Sequence, residues 1–124
     1  MTHFPQPHSG RRATRVQLAT TIPTLVKMGD GKLAQAKLQS ISVTGGLLQL
    51  AKSLGRGDLV EVEFQMRSED VEGMAEMLNP VGRGPKGTLQ PFRFIALADD
   101  DHRTLRELID SASDRSPDGI WPKQ

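Results

Sequence analysis

Residues 33–50 read LAQAKLQSISVTGGLLQL, and their pattern of apolar and polar residues indicates the fold class of the chain. Apolar side chains at every second position from Ala34 to Leu38 alternate with polar ones, which is the period of a half-buried β-strand. We therefore predict a strand over Leu33–Ile41. Gly45 and Gly46 break the chain before a second short apolar run, Leu47–Leu50. Two short strands separated by glycines are typical of an antiparallel, mainly β domain.

Further strands are predicted on both sides of this stretch. Val16–Met28 reads as extended and ends at the turn signal Gly29-Asp30-Gly31. Residues 55–58 predict a second turn, and Leu59–Gln65 then alternates between apolar and acidic side chains. These segments extend the antiparallel pattern over about fifty residues.

The next segments are less regular. Val71–Leu78 fits either a helix or a strand, and Gly73 tips it slightly to strand because a mid-helix glycine costs about 1 kcal/mol. Asn79–Thr88 is a mobile loop by composition, with three glycines and two prolines. Leu89–Leu97 predicts a last strand with Phe92, Phe94 and Ala96 on one face.

One helix is predicted at the carboxyl end of the domain. Asp99, Asp100 and Asp101 suit a helix N-terminus, where acids accept bonds from free amides and complement the dipole. The apolar stripe that follows has the i, i+3, i+4, i+7 spacing of an amphipathic helix: Leu105, Leu108, Ile109 and Ala112. Short strands followed by one helix predict a small antiparallel β-barrel with a packed C-terminal α-helix.

Composition bounds the size and chemistry of the protein. The chain has 124 residues, is 36% hydrophobic and 4% aromatic, and contains no cysteine or tyrosine. This is enough for one domain with a modest core. We predict a flexible tail over 1–9, one domain over 10–112 and a flexible tail over 113–124. Without a signal segment or an apolar run of roughly 20 residues, we expect a cytoplasmic protein that does not insert into membranes.

Catalytic and metal sites are not predicted. Absent cysteine excludes a thiol nucleophile and a thiolate zinc site. The three histidines, His3, His8 and His102, lack converging partners, so we expect them to be solvated surface residues. We therefore predict no catalytic residues, no metal, no cofactor and no enzymatic activity.

The net charge of +1 conceals two opposed parts of the chain. Residues 1–37 hold six bases and one acid, whereas residues 38–124 hold ten bases and fourteen acids. Arg11, Arg12 and Arg15 fall within five residues at the start of the domain. A guanidinium can hold a phosphate or a guanine edge with two parallel bonds, although a solvated basic tail is the simpler reading of composition alone.

Two short motifs in the sequence resemble those of a known protein family. Arg11-x-x-x-Arg15 followed by Ser40-x-Ser42-x-x-Gly45 resembles the RxxxR and [D/N]xSxxG motifs of the PilZ family of bacterial cyclic di-GMP receptors. The similarity runs over roughly residues 10–112 and includes Phe92-Arg93-Phe94 ahead of the helix. It implies a six-stranded PilZ-type barrel with a C-terminal helix.

The resemblance also implies roles for individual residues. Arg11 and Arg15 would clamp the guanine edges and phosphates of cyclic di-GMP, while Arg12 either adds charge or points away. Ser40 stands where the family has Asp or Asn, Ser42 would offer its hydroxyl to the ligand or the turn, and Gly45 would let the backbone approach the purine. The ligand would lie on the outer surface of the barrel, under the arginine segment.

The departure at Ser40 keeps a second reading open. A single hydroxyl makes fewer bonds to a guanine edge than a carboxylate or an amide does, and losing one such contact costs about 1–3 kcal/mol. The chain is thus expected to be a cyclic di-GMP receptor that signals to a partner protein. The alternative is a PilZ-like interaction module that binds no nucleotide. A small DNA- or RNA-binding barrel is disfavoured because aromatic residues for base stacking are scarce.

Overall fold

The computed structural model describes residues 2–3 and 15–114. These residues form eight β-strands and one α-helix. In chain order the elements are β1 (Thr2–His3), β2 (Val16–Met28), β3 (Leu33–Ser42), β4 (Gly45–Leu50), β5 (Leu59–Met66), β6 (Glu69–Met77), β7 (Gly82–Gly84), β8 (Gly87–Ala98) and α1 (Asp99–Asp114).

Six of the strands close into a barrel. The neighbours run β8-β4-β3-β2-β5-β6, all antiparallel, and β6 pairs back onto β8. Closure depends on the length of β8, whose residues 88–93 pair with β4 while residues 92–97 pair with β6. A closed barrel leaves none of these strands with an unpaired edge along its full length. The predicted six-stranded antiparallel barrel with a C-terminal helix is confirmed.

The barrel interior and the inner face of α1 form one apolar core. Phe92 and Phe94 of β8 meet edge to face with ring centroids 5.2 Å apart, a favoured geometry for aromatic pairs. The predicted stripe of α1 is buried against the barrel, with Leu105 and Ile109 at its centre. Asp101 also bonds to the barrel, since its Oδ1 accepts a hydrogen bond from the Glu72 backbone N–H at 3.2 Å.

Most predicted strands are present with small changes of boundary. The ambiguous segment after residue 70 is a strand, β6, as Gly73 suggested. The predicted loop over Asn79–Thr88 was wrong in part, because β7 folds back on the start of β8 across Pro85 and Lys86. Gly87 makes this reversal possible: its φ is +114°, and a Cβ there would collide with the Leu50 carbonyl oxygen.

Two β-bulges change which side chains point inward. In β8 a register shift against β6 occurs between Phe94 and Ala96. As a result Leu97, and not Ala96 as predicted, is the next fully buried side chain after Phe94. In β3 a similar shift against β4 falls between Leu38 and Ser40. An inserted residue re-aims every side chain that follows it.

The structure describes a few residues within each of the two predicted tails. Thr2 and His3 pair with Ala98 and Leu97 at the end of β8, a pairing that was not predicted. The helix continues to Asp114. Most of the predicted tails over 1–9 and 113–124 lies outside the described residues. No helix in the described part of the chain is long and apolar enough to span a membrane.

Candidate functional site

The bulge in β3 turns the serine motif toward the outside of the barrel. Leu38 pairs with Leu48 and is buried in the core, but Ser40 pairs with Leu47 and with Gln17, which is exposed. Residues directly opposite each other in an antiparallel sheet point to the same face. Ser40 and, two residues later, Ser42 therefore lie on the outer face. Without the extra residue, strict alternation would have sent both into the core.

Ser42 shapes the turn between β3 and β4. Its Oγ accepts a hydrogen bond from the Thr44 N–H at 3.2 Å and lies 3.0 Å from Thr44 Oγ1. The same Oγ donates to the Gly45 carbonyl at 3.3 Å. Of the two roles that the sequence left open for this hydroxyl, the structure displays the one in the turn.

Gly45 is needed where β4 meets β8. A Cβ at this position would collide with the Phe92 carbonyl oxygen and come within 2.8 Å of Arg93 Cα. The Phe94 N–H also donates to the Thr44 carbonyl at 2.9 Å, so β8 stays close to the turn. The missing side chain thus has a structural reason within the barrel, in addition to the approach to a ligand that the motif implies.

Ser40 is buried without a hydrogen-bond partner. Its exposed fraction is 1%, and its Oγ is the one buried side-chain polar atom in the described part of the chain that bonds to nothing. Leaving a buried hydroxyl unpaired costs about 1–3 kcal/mol. A position that keeps such a group is a candidate for contact with a ligand or a partner.

Arg15 stands beside the serine motif. It precedes β2 and is exposed. Because Val16 pairs with Ile41 and Gln17 with Ser40, continuing the register by one residue brings Arg15 opposite Ser42. The structure therefore brings together Ser40, Ser42 and Gly45, and the continued register places Arg15 beside them. The other two predicted site residues, Arg11 and Arg12, lie outside the described residues.

A second arginine lies on the same outer face. Gly45 pairs with Arg93 of β8, and Arg93 pairs with Glu76 of β6. Arg93 binds a single carboxylate oxygen, Glu76 Oε1, through Nε and Nη2, both at 2.7 Å. Its side chain is 56% exposed. Sequence reasoning did not include Arg93 in the site. Its place between Phe92 and Phe94 predicts an outward side chain, but its cross-strand neighbours depend on the barrel register.

Charge is sharply divided around the barrel. Strands β2, β3, β4 and β8 contain three cations and no acid, whereas β5 and β6 contain six acids and no cation. Crowding on the acidic side raises the pKa of Glu72, first through desolvation and then through repulsion from Glu63, Glu61 and Asp101. An anion is therefore favoured on the outer face that carries the serine motif.

Grooves on the outer surface follow the same division. One of about 450 Å³ begins beside the motif at Gln39 and is lined by Lys37, Arg83 and Lys86 with no acid. Gln49 fixes its wall by donating to the Lys86 carbonyl at 3.0 Å. A larger groove of about 1070 Å³ also borders Glu63 and Asp70 and so has mixed charge. The smaller groove suits an anionic group better.

Comparisons with known proteins bear on the fold. No protein-family model matches the chain, and no curated protein matches it significantly in sequence. A structure of the PilZ domain of YcgR from Escherichia coli with c-di-GMP superposes with a TM-score of 0.64 at 22% identity, over 88% of this chain and 98% of that one. This chain has the PilZ-domain fold.

Two longer proteins contain the same PilZ fold. YcgR from Escherichia coli in complex with c-di-GMP gives a TM-score of 0.73 at 20% identity, over 88% of this chain and 48% of that chain. The inhibitor of motility MotI/DgrA from Bacillus subtilis gives 0.71 at 14% identity, over 86% and 53%. The present chain thus spans about half the length of either protein.

The described residues offer little for metal chemistry. Within residues 2–3 and 15–114, no group of three or more His, Asp or Glu side chains is arranged to hold a metal ion. What the outer face of the PilZ barrel does present is a set of guanidinium, hydroxyl and backbone groups. These groups can bind phosphates and the polar edges of bases.

Proposed function

We propose that this protein is a receptor for cyclic di-GMP that relays the level of this second messenger to a partner protein. The observation that carries the proposal is the Ser42–Gly45 pair on the outer face of strands that contain no acid, with Arg15 exposed one residue before β2. The PilZ fold adds support, because a YcgR structure of that fold is a complex with c-di-GMP.

Each residue has a physical role in this proposal. The guanidinium groups of Arg11 and Arg15 bind the phosphates and guanine edges, with Arg12 adding positive charge. Ser40 gives its unpartnered Oγ a bond to the ligand. Ser42 holds the turn, and Gly45 adds no side chain on the face of β4 that the ligand approaches.

The proposed signalling step rests on the position of the two arginines in the sequence. Arg11 and Arg15 belong to the segment that leads into β2, so a ligand bound by both fixes that segment across the outer face. Ordering a segment on binding changes the surface that the protein offers to others. We propose that the partner protein recognises this ligand-dependent surface.

Calorimetric titration tests the proposal. We expect heat of binding on adding cyclic di-GMP, and a loss of affinity of at least about 10-fold in Arg15→Ala, the size of one charged hydrogen bond. Arg56→Ala is the matched control, since Arg56 is exposed in the turn before β5. If wild-type protein shows neither heat nor a rise in Tm at about 50 µM ligand, the receptor proposal is wrong.

Ser40 also supports the second candidate, an interaction module that binds no nucleotide. The hydroxyl is shorter than the Asp or Asn side chain of the family motif and makes fewer bonds. Ser40→Asp separates the two candidates, with circular dichroism to verify folding. A gain in affinity for cyclic di-GMP indicates a functioning site weakened at one contact. A folded variant that still binds nothing indicates the interaction module.

A further inference from the structure

The outer face carries a guanidinium at each end of one cross-strand row. Ser42 pairs with Gly45 and Gly45 with Arg93, and continuing the Val16–Ile41 register by one residue places Arg15 opposite Ser42. Three strand spacings separate Arg15 from Arg93, about 14 Å between their Cα atoms. Each side chain is long enough to reach past a neighbouring strand, and that of Arg93 binds Glu76 of β6, on the other side of β8 from Gly45.

Little side-chain bulk stands in the row between these two arginines. Gly45 contributes no side chain to the row, and the Ser42 hydroxyl is drawn into its turn. The close approach of β4 to β8 at Gly45 also brings Arg93 toward the serine motif. A ligand lying on Ser42 and Gly45 would therefore have a cation on each side.

The Glu76 contact orients Arg93 without using all its donors. Both bonds run from Nε and Nη2 to the same carboxylate oxygen. A guanidinium has five N–H donors, so the two on Nη1 and the second on Nη2 remain available. Among the described residues, Glu76 is the one ion-pair partner of Arg93. The acid thus holds the fork in place while leaving one edge free for an oxyanion.

We propose that Arg93 is a further ligand-contacting residue of this site, which binds a phosphate of the cyclic dinucleotide from β8, opposite Arg15. Glu76 is the positioning residue that presents its guanidinium. This inference rests on the proposed receptor function. Arg93 lies in β8, a strand that contains neither the arginine motif nor the serine motif, so its contact is additional to theirs.

Titration of wild type and three variants with cyclic di-GMP tests the inference. We expect Arg93→Gln to weaken binding about 10- to 100-fold, as for loss of a charge-assisted hydrogen bond. Arg93→Lys keeps the charge but loses the fork, so we expect an intermediate affinity. The matched control is Arg103→Gln on α1, because Arg103 is likewise exposed and ion-paired, here to Asp100 at 3.7 Å; its affinity should equal that of wild type.

A spectroscopic readout covers the case in which Arg93→Gln loses its fold. In wild-type protein the NMR signal of the Arg93 Nε–H should shift on ligand addition, while that of Arg103 stays in place. If wild type binds but Arg93→Gln binds equally well, or the Arg93 signal does not move, the inference is wrong and the receptor function stands. If wild type binds nothing, the receptor proposal itself fails.

Discussion

Gln90 and Leu54 exchange a reciprocal pair of hydrogen bonds. Gln90 Nε2 donates to the Leu54 carbonyl and Gln90 Oε1 accepts from the Leu54 N–H, both at 2.8 Å. Nε2 donates a second time, to the Leu78 carbonyl, also at 2.8 Å. Although Gln90 is fully buried, all of its polar atoms are bonded. One side chain of β8 thus ties down the segment between β4 and β5.

Replacing this amide should destabilise the barrel. Gln90→Met has a similar volume but leaves the Leu54 and Leu78 backbone groups without partners. We expect the free energy of unfolding to fall by about 2–3 kcal/mol, measured by urea denaturation. Gln65→Met is the control, since Gln65 makes one exposed bond to Asp70 at 3.2 Å. Equal stability of the two variants would show that the buried amide contributes nothing.

The turn between β5 and β6 is open to stabilisation. Met66 pairs with Glu69, so Arg67 and Ser68 form a two-residue loop, with φ values of +52° and +69°. Such loops favour glycine or asparagine because a side chain at positive φ is strained. We expect Ser68→Gly to raise the free energy of unfolding by about 0.5–1 kcal/mol.

Two further glycine variants serve as controls for Ser68→Gly. Ser53→Gly, in a loop without positive φ, should lower stability slightly through the entropy of the unfolded chain. Arg67→Gly should gain less than Ser68→Gly, because Arg67 Nη1 donates to Ser111 Oγ of α1 at 2.9 Å. If Ser68→Gly were less stable than wild type, the proposed backbone strain at Ser68 would be contradicted.

Two glycines should respond very differently to the same added methyl group. At Gly45 a Cβ meets the backbone of β8, which cannot yield without separating two paired strands. At Gly84 nothing lies within 4 Å of that position. We expect Gly45→Ala to lower the free energy of unfolding by about 2–3 kcal/mol and Gly84→Ala to change it by less than about 0.5 kcal/mol. Thermal melts monitored by circular dichroism measure both.

The acidic strands should give stability a pH dependence. Glu72 faces Glu63 directly across β5 and β6, and its pKa is raised above the usual 4.5 by desolvation and by neighbouring acids. A raised pKa in the folded state means that ionising Glu72 opposes folding, so this cost is absent at pH values well below 4.5 and present at neutral pH.

Glu72→Gln removes that cost. We expect its Tm at pH 7 to exceed that of wild type by about 1–3 °C, with the difference shrinking as the pH falls toward 4. Glu107→Gln, an exposed helix position, is the control. A Tm difference that stays constant over this pH range would point away from charge repulsion.

Much of the architecture could be predicted from the sequence because local patterns decide it. The alternation in Leu59–Met66 and the stripe from Leu105 to Ala112 each specify a buried face, and the structure buries those faces. The hairpin at Gly82–Gly84 was missed because its glycine- and proline-rich composition is shared by loops. Only its pairing with β8 distinguishes it.

The site was predictable in its residue types but not in its geometry. The motif spacing identified Ser40, Ser42 and Gly45, yet no local signal shows that Ser40 is buried or that its hydroxyl lacks a partner. Arg93 was not assigned to the site and Gln90 was not singled out for the same reason, since their partners lie 12 to 36 residues away along the chain. Such contacts arise from barrel register.

The bulge after Leu38 has a consequence for anyone who would transplant this motif. One extra residue, Gln39, interrupts the inward and outward alternation of β3. Ser40 and Ser42, which would otherwise follow Leu38 into the core, therefore lie on the outer face. A graft of Ser40–Gly45 alone into another barrel would therefore deliver its serines to the interior. The smallest segment that would keep both serines on the outer face therefore begins one residue earlier, at the bulge residue Gln39.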